Sequence, residues 1–321
     1  MTFKALVVGL GQIGMGYDLN LDPKVYALTH ARAFQRHSSF QLVGGVDPNL
    51  DRRQLFEKHY GAPAYADVDS AVKALQPDVV AISSPTTEHH ASVRAVLAAG
   101  RPAAILCEKP LAYQLAEARE IVEATAEQGC KLFVNYMRRA DCGVVEVKRR
   151  LDAGLIGHPV KGVTWYSKGL FNNGSHFLNL LQYWLGGVRD FQILEPGRLW
   201  DGLDPEPDVA VTFKLGTIFF LAAREEDYSH YTVELVAPNG RLRYEQGGER
   251  IFWQGTVKDA ACEGYTILDP AGESIETDFT RVQWHMVDQL AASLHGHQAH
   301  ICSGAEALQT LEILAEIKSK L

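Results

Sequence analysis

Ala5-Leu6-Val7-Val8-Gly9-Leu10-Gly11-Gln12-Ile13-Gly14 decides the fold. An apolar, strand-forming run passes directly into three glycines spaced as in a dinucleotide-binding turn. The first glycine permits the tight turn, the second lets the backbone approach a pyrophosphate, and the third allows close packing. The helix that follows offers its first N–H groups to the phosphates. A glycine turn alone is a weak signal. Placed behind an apolar strand at the start of the chain, it points to a nicotinamide dinucleotide, with Gly9, Gly11, Gln12, Ile13 and Gly14 as cofactor-binding positions.

Working outward, the first 135 residues alternate short apolar runs with longer amphipathic ones. Phe3 to Val8, Phe40 to Val46, Val79 to Ile82, Ala103 to Cys107 and Leu132 to Val134 read as strands buried on both faces, because their apolar runs are continuous. Thr29 to Arg36, Leu50 to Tyr60, Asp67 to Leu75, Glu88 to Ala99 and Gln114 to Gln128 read as helices, several closed by glycine (Gly61, Gly100, Gly129). Such alternation predicts an α/β Rossmann domain, a doubly wound parallel sheet with right-handed crossovers, over residues 1–135.

After that the texture changes. A helix from Asp141 to Ala153 precedes seven strand-like stretches between Val160 and Trp253, with hairpin turns at Leu215-Gly216-Thr217 and Pro238-Asn239-Gly240. Gln283 to Leu294 and Gly304 to Leu321 are helical in period. Residues 136–321 are therefore expected to form an α+β substrate-binding domain with a large, mostly antiparallel open sheet.

In such a fold, ligands bind at the carboxyl ends of the strands. The second strand ends at Asp47, whose carboxylate can accept from a ribose diol and repels a 2′-phosphate. NAD is favoured; Arg52 and Arg53 leave NADP as the smaller possibility. Asp47 lies farther from the glycines than is usual, and the excess, Tyr17 to Leu28, reads as an inserted loop that either borders the site or decorates the surface. The segment Ser84-Pro85-Thr86-Thr87-Glu88-His89 follows another strand, and Glu108-Lys109-Pro110 follows the next. Ser84 and Thr86 are positioned to contact ribose or pyrophosphate, and a lysine at Lys109 stands where the reactive end of the cofactor lies.

Composition narrows the partners. The chain has 321 residues, 46% hydrophobic and 22% charged, enough for two ordinary domains. The run from Met1 to Lys4 leads into a strand rather than a signal peptide, and no apolar stretch is long enough to span a bilayer. A net charge of −8 without a basic run argues against nucleic acid. Five cysteines without CxxC spacing fit reduced, mostly buried thiols in a cytoplasmic protein rather than disulfides or zinc. His295, His297 and His300 fall in a polar connection and read as solvent-exposed, so no metal is expected.

The glycine turn, the Ser-Pro-x-x-x-His segment ending at His89, Glu108-Lys109-Pro110 and Asn135-Tyr136-Met137-Arg138-Arg139 come in an order and spacing that resemble the Gfo/Idh/MocA oxidoreductases. The likeness is specific over about the first 140 residues and continues through Gly154-Leu155-Ile156-Gly157 to the box Asn172-Asn173-Gly174-Ser175-His176. The resemblance implies hydride transfer between nicotinamide and a hydroxyl carbon of a sugar or sugar derivative. It assigns Lys109 to hold the hydroxyl and His176 to act as the base, and adds Ser84, Pro85, Thr86, His89, Glu108 and Lys109 itself, through the nicotinamide ribose, to the cofactor set. It further implies a cis bond before Pro110 and a homodimer or homotetramer built through the second-domain sheet. Where the family usually carries aspartate, this chain has Asn172, which can orient but not accept a proton. Asn172 together with Lys168 points to a nucleotide-linked or carboxylated sugar. Tyr136, Arg138, Lys168, Asn172 and His176 are substrate-binding candidates, with Trp165 and Tyr166 as further pocket-lining residues. Two rival readings are a glycosidase-like enzyme that uses NAD without net redox, and a sensor that binds dinucleotide or sugar without turnover.

Overall fold

The computed structural model describes residues 2–321; Met1, where the expected first domain begins, lies outside them. Contacts divide the chain into two compact units. One comprises residues up to Ala140 with 280–309, the other 141–279 with 310–321.

The first unit is built on β1 (Phe3–Val8), β2 (Phe40–Val46), β3 (Ala64–Tyr65), β4 (Val79–Ile82), β5 (Ala104–Cys107) and β6 (Lys131–Val134). These run parallel in the order β6-β5-β4-β1-β2-β3, so the winding reverses between β1 and β4. Every residue of β4 and β5 is buried, as continuous apolar runs require. The crossovers carry α1 (His30–Arg36), α2 (Leu50–Tyr60), α3 (Val68–Leu75), α4 (His89–Ala99) and α5 (Leu115–Glu127). Side chains that compete for backbone N–H groups mark where helices begin: Thr29 caps α1, Asn49 caps α2 and Asp67 caps α3.

Register fixes the geometry of the carboxyl edge. Val46, Val8, Ile82, Cys107 and Val134 are paired in one row across β2, β1, β4, β5 and β6. The next residues continue it through the backbone: Gly9 N–H donates to Val46 at 2.8 Å, Ser83 to Val8 at 2.7 Å, Glu108 to Ile82 at 2.8 Å and Asn135 to Cys107 at 2.8 Å. Asp47, Gly9, Ser83, Glu108 and Asn135 thus share a line because parallel strands advance in step.

The second unit contains α6 (Cys142–Asp152), β7 (Val160–Tyr166), α7 (Ser175–Leu185), β8 (Val188–Trp200), β9 (Asp204–Phe213), β10 (Gly216–Ala222), β11 (Tyr231–Ala237), β12 (Gly240–Glu245), β13 (Arg250–Lys258), β14 (Thr266–Leu268) and β15 (Glu273–Ile275). Its sheet runs β14-β13-β12-β11-β7-β10-β9-β8, with β15 also on β13; β7–β10 is the parallel pair among otherwise antiparallel neighbours. One face carries the core, including Trp184, Tyr166, Tyr244, Phe177 and Phe220. The other shows Trp165 and Phe219, each 42% exposed, on neighbouring strands.

Beyond this sheet, α8 (Val282–Leu294) and β16 (Cys302–Ser303) belong to the first unit. β16 pairs antiparallel with β6, while Met286, Val287 and Leu290 join the core around Ala31, Phe34 and Phe40. The two consecutive domains read from the sequence place these residues in the second. Helical period says that a segment is a helix; it does not say whose core the apolar stripe enters. The last helix, α9 (Gly304–Ser319), is divided between the units after Gln309, with Leu314 and Ile317 in the second core.

Candidate functional site

At the winding reversal, Gly9 has φ +90°, and a Cβ there would stand 2.5 Å from the Ser84 nitrogen. At Gly14 a Cβ would stand 2.0 Å from the Gly9 oxygen. Both are therefore demanded by the chain itself. Gly11 is different: its φ is −80°, and a Cβ would meet nothing within 4 Å. What glycine preserves at that position is open space against the backbone, the space a pyrophosphate needs. Ser84 points the same way, since its Oγ is buried without a hydrogen-bond partner in the protein. These residues fit a dinucleotide.

The helix expected after the turn is a five-residue π-type segment, Gln12–Gly16, with Gln12 exposed and Ile13 half-buried. The inserted residues interrupt it. Asp18 is fully buried, and its carboxylate accepts from the N–H groups of Leu28 (2.7 Å) and Thr29 (3.1 Å) and from Thr29 Oγ1 (2.8 Å). The insertion is thereby cinched at its base and returns the chain to α1.

Asp47 is 3% exposed. Its Oδ2 accepts from Leu10 N–H at 2.9 Å and lies 3.4 Å from Arg52 Nη1, while Oδ1 accepts from Asn49 N–H at 2.9 Å. The carboxylate braces the glycine turn, and its remaining lone pairs are what a ribose diol would meet. His89 is enclosed, with Nδ1 3.1 Å from the Pro110 oxygen and 3.2 Å from that of Leu111, and Nε2 3.0 Å from the Ser84 oxygen. It ties the loop after β4 to the loop after β5. Burial pushes its pKa below the ordinary histidine value. Pro85 is exposed and Thr86 half-buried at the start of the turn leading into α4.

Glu108 and Lys109 leave β5 half-buried, and the Lys109–Pro110 bond is cis. Glu108 Oε1 receives His30 Nε2 at 2.8 Å and Asn135 Nδ2 at 2.6 Å, and Oε2 receives the Lys109 N–H at 3.3 Å. Burial opposes the charged form of Glu108, but the His30 hydrogen bond and charge, Asn135 and Lys109 outweigh it and hold the carboxyl below its usual range. Tyr136 and Arg138, in the next loop, are almost enclosed.

In the second unit the box from Gly169 to Gly174 is a π-type turn opening α7. Asp204 on β9 holds it: Oδ1 accepts from Phe171 N–H at 3.0 Å and Oδ2 from Asn172 N–H at 2.9 Å. A Cβ on Gly169, at φ +80°, would lie 2.2 Å from the Asp204 carboxyl carbon. Burial raises the Asp204 pKa, and the two N–H groups oppose that rise. Asn173 Nδ2 donates to the Tyr231 hydroxyl at 3.0 Å, and His176 is 8% exposed in the first turn of α7. Asn179 Nδ2 donates to Thr310 Oγ1 at 3.0 Å, a packing role. Lys168 Nζ pairs with Glu225 at 3.0 Å, so an anionic substituent at that ammonium would compete with a carboxylate. Tyr166 is core, its hydroxyl donating to the Pro207 oxygen at 2.6 Å.

The structure thus gathers Gly9, Gly11, Asp47, Ser84, Glu108 and Lys109 on one sheet edge, and gathers Lys168, Asn172 and His176 in the second unit. Sequence reading missed His30, the part of Asn135 in this cluster, and Asp204. Asn135 was findable, since the residue after β6 stands beside the residue after β5. His30 was hidden behind the insertion, and Asp204 lies too far along the chain to signal its target.

Among the described residues no His/Cys/Asp/Glu cluster suits a metal, and no helix is long and apolar enough to cross a membrane. All five cysteines are free; Cys107, Cys130 and Cys302 are buried, whereas Cys142 and Cys262 are exposed.

Residues 3–136 match the family model described as "Oxidoreductase family, NAD-binding Rossmann fold". Inositol 2-dehydrogenase/D-chiro-inositol 3-dehydrogenase of Shouchella clausii is 32% identical over 163 residues, 50% of this chain and 43% of that protein. Inositol 2-dehydrogenase 1 of Saccharopolyspora erythraea is 35% identical over 161 residues, 50% and 44% of the two chains. The match thus spans less than half the length of these curated relatives. Over nearly the whole chain, the fold is that of the WlbA dehydrogenase from Bordetella pertussis, solved with NADH and UDP-GlcNAcA (TM-score 0.74, 19% identity, 99% and 96% coverage). It is likewise that of a putative myo-inositol dehydrogenase from Sinorhizobium meliloti (TM-score 0.74, 18% identity, 100% and 98% coverage).

Proposed function

We propose that this chain, a member of the Gfo/Idh/MocA oxidoreductases through its residues 3–136, is an NAD-dependent dehydrogenase acting on a hydroxyl carbon of a sugar or polyol. The observation that carries the reading is the row at the carboxyl edge, where Lys109 follows a carboxylate fixed by His30 and Asn135 on the same edge as the open backbone at Gly11.

A bound nicotinamide supplies the hydride acceptor; the protein must do the rest. Asp47 braces the glycine turn and offers its remaining lone pairs to the adenosine ribose. Ser84 has an unspent hydroxyl for the same ligand. Lys109 binds the substrate hydroxyl and favours its alkoxide. His176 is assigned to take the hydroxyl proton, general-base help worth about 100- to 10,000-fold in rate. Asn172, its backbone held by Asp204, orients the substrate through its amide.

Because Lys168 is already paired with Glu225, an uncharged polyol or sugar fits better than an anionic one. A carboxylated or nucleotide-linked sugar remains the narrower alternative motivated by Asn172. The exposed Trp165 and Phe219 on one face of the second sheet support a homo-oligomer.

The test is nicotinamide absorbance during incubation with NAD and a panel of polyols, free sugars, uronates and nucleotide sugars. Reduction with one class identifies the substrate class. Silence across the panel, with NAD binding established, sinks the dehydrogenase reading and leaves NAD-using glycoside cleavage or ligand sensing.

A further inference from the structure

We propose that His30 is a positioning residue for Lys109, acting through Glu108; the inference rests on the reading of Lys109 as a substrate-binding residue and deepens it. The Glu108 carboxylate is a hub with three donors from three parts of the first unit. His30 Nε2 reaches Oε1 at 2.8 Å from α1, Asn135 Nδ2 reaches it at 2.6 Å from beyond β6, and the Lys109 N–H reaches Oε2 at 3.3 Å. An ionised carboxylate only accepts, so the imidazole donates through Nε2. The His30 side chain is fully enclosed while that of Glu108 is 14% exposed, so the contact runs from the interior outward to the edge where Lys109 emerges.

The strands do not need this contact. Glu108 and Asn135 are already held by their own backbone bonds to Ile82 and Cys107, both 2.8 Å. What the side-chain cluster adds is the direction of the Glu108 carboxylate and, through Oε2, the first peptide of Lys109. The contact also explains the buried imidazole at the start of α1: Ala31, Ala33 and Phe34 enter the core, Arg32 turns to the Asp18 carbonyl oxygen, and His30 turns to the carboxylate. A long, flexible lysine is useful to chemistry only when its base is fixed, because misplacement of a reacting group by about 1 Å costs about 100-fold in rate.

The test uses the intact chain with NAD bound and its lysines converted to ¹³C-dimethyl-lysine, the Lys109 resonance being assigned with Lys109→Arg. In the wild type that resonance should stand apart from the bulk lysines. His30→Leu should move it into the bulk envelope, lower kcat by about 10- to 100-fold on the alcohol returned by the panel, and leave NAD affinity within about threefold. His30→Gln, whose amide presents a donor at similar reach, should restore both. If His30→Leu does not fold, Glu108→Gln, which keeps the shape and removes the charge, should displace the resonance in the same way. A wild-type Lys109 resonance in either folded variant overturns the proposal. Unchanged turnover in Lys109→Arg and Lys109→Ala would instead overturn the substrate reading, and the resonance arm, which needs no turnover, keeps the two failures apart.

Discussion

Both ring nitrogens of His89 face carbonyl oxygens, those of Ser84 on one side and of Pro110 and Leu111 on the other. A neutral ring has one N–H to give, and burial keeps the pKa below the ordinary value. Between the folded pKa and the unfolded one, about 6.5, the unfolded chain therefore binds a proton that the folded chain does not. This contribution to stability is whole above that range, falls as pH drops through it, and is lost below the folded pKa. His89→Gln should cost about 1 kcal/mol at neutral pH, for one lost hydrogen bond, yet lose less further stability on acidification than the wild type. Urea unfolding at neutral and mildly acidic pH checks this; parallel pH profiles would contradict it. Asp204 makes a second prediction at this scale. Asp204→Ala removes both acceptors from the Phe171 and Asn172 N–H groups and should destabilise the chain by about 1–3 kcal/mol in thermal unfolding, lowering kcat more than it weakens NAD binding.

At the scale of elements, the glycine turn separates what the fold needs from what a ligand needs. Gly9→Ala forces a side chain into φ +90° and against the Ser84 backbone, and should cost about 1–3 kcal/mol of stability. Gly11→Ala meets open space and should leave stability within about 0.5 kcal/mol, while weakening NAD binding about tenfold. Thermal melts and fluorescence titration distinguish the two, and equal effects on both readouts would refute the division. The turn was legible in sequence because each glycine answers a local steric demand. So were the strand ends, because a buried parallel strand is a continuous apolar run. The length of the helix after Gly14 was not. The insertion closes through Asp18 reaching Leu28 and Thr29, a side-chain bond that no periodicity announces.

For the whole molecule, the sequence separated two textures, but it could not place residues 280–309. Their apolar stripe enters the first core, where Met286, Val287 and Leu290 join Phe34 and Phe40. A fragment ending at residue 135 should therefore fail to unfold cooperatively, whereas one that also carries residues 280–309 through a short linker should regain a sharp transition. The candidate site shows the same pattern. The motifs drew attention to Lys109 and His176, while His30 and Asp204 act on partners 78 and 32 residues away and gave no local sign.

Lys109 is proposed to serve turnover rather than cofactor retention. The direct measurement is kcat and NAD affinity of Lys109→Ala beside the wild type, on the alcohol that the panel returns. Loss of at least about 100-fold in kcat with NAD affinity within about threefold is the expected result. Full turnover in the variant, or a loss explained wholly by weaker NAD binding, would show that Lys109 has no part in the chemical step.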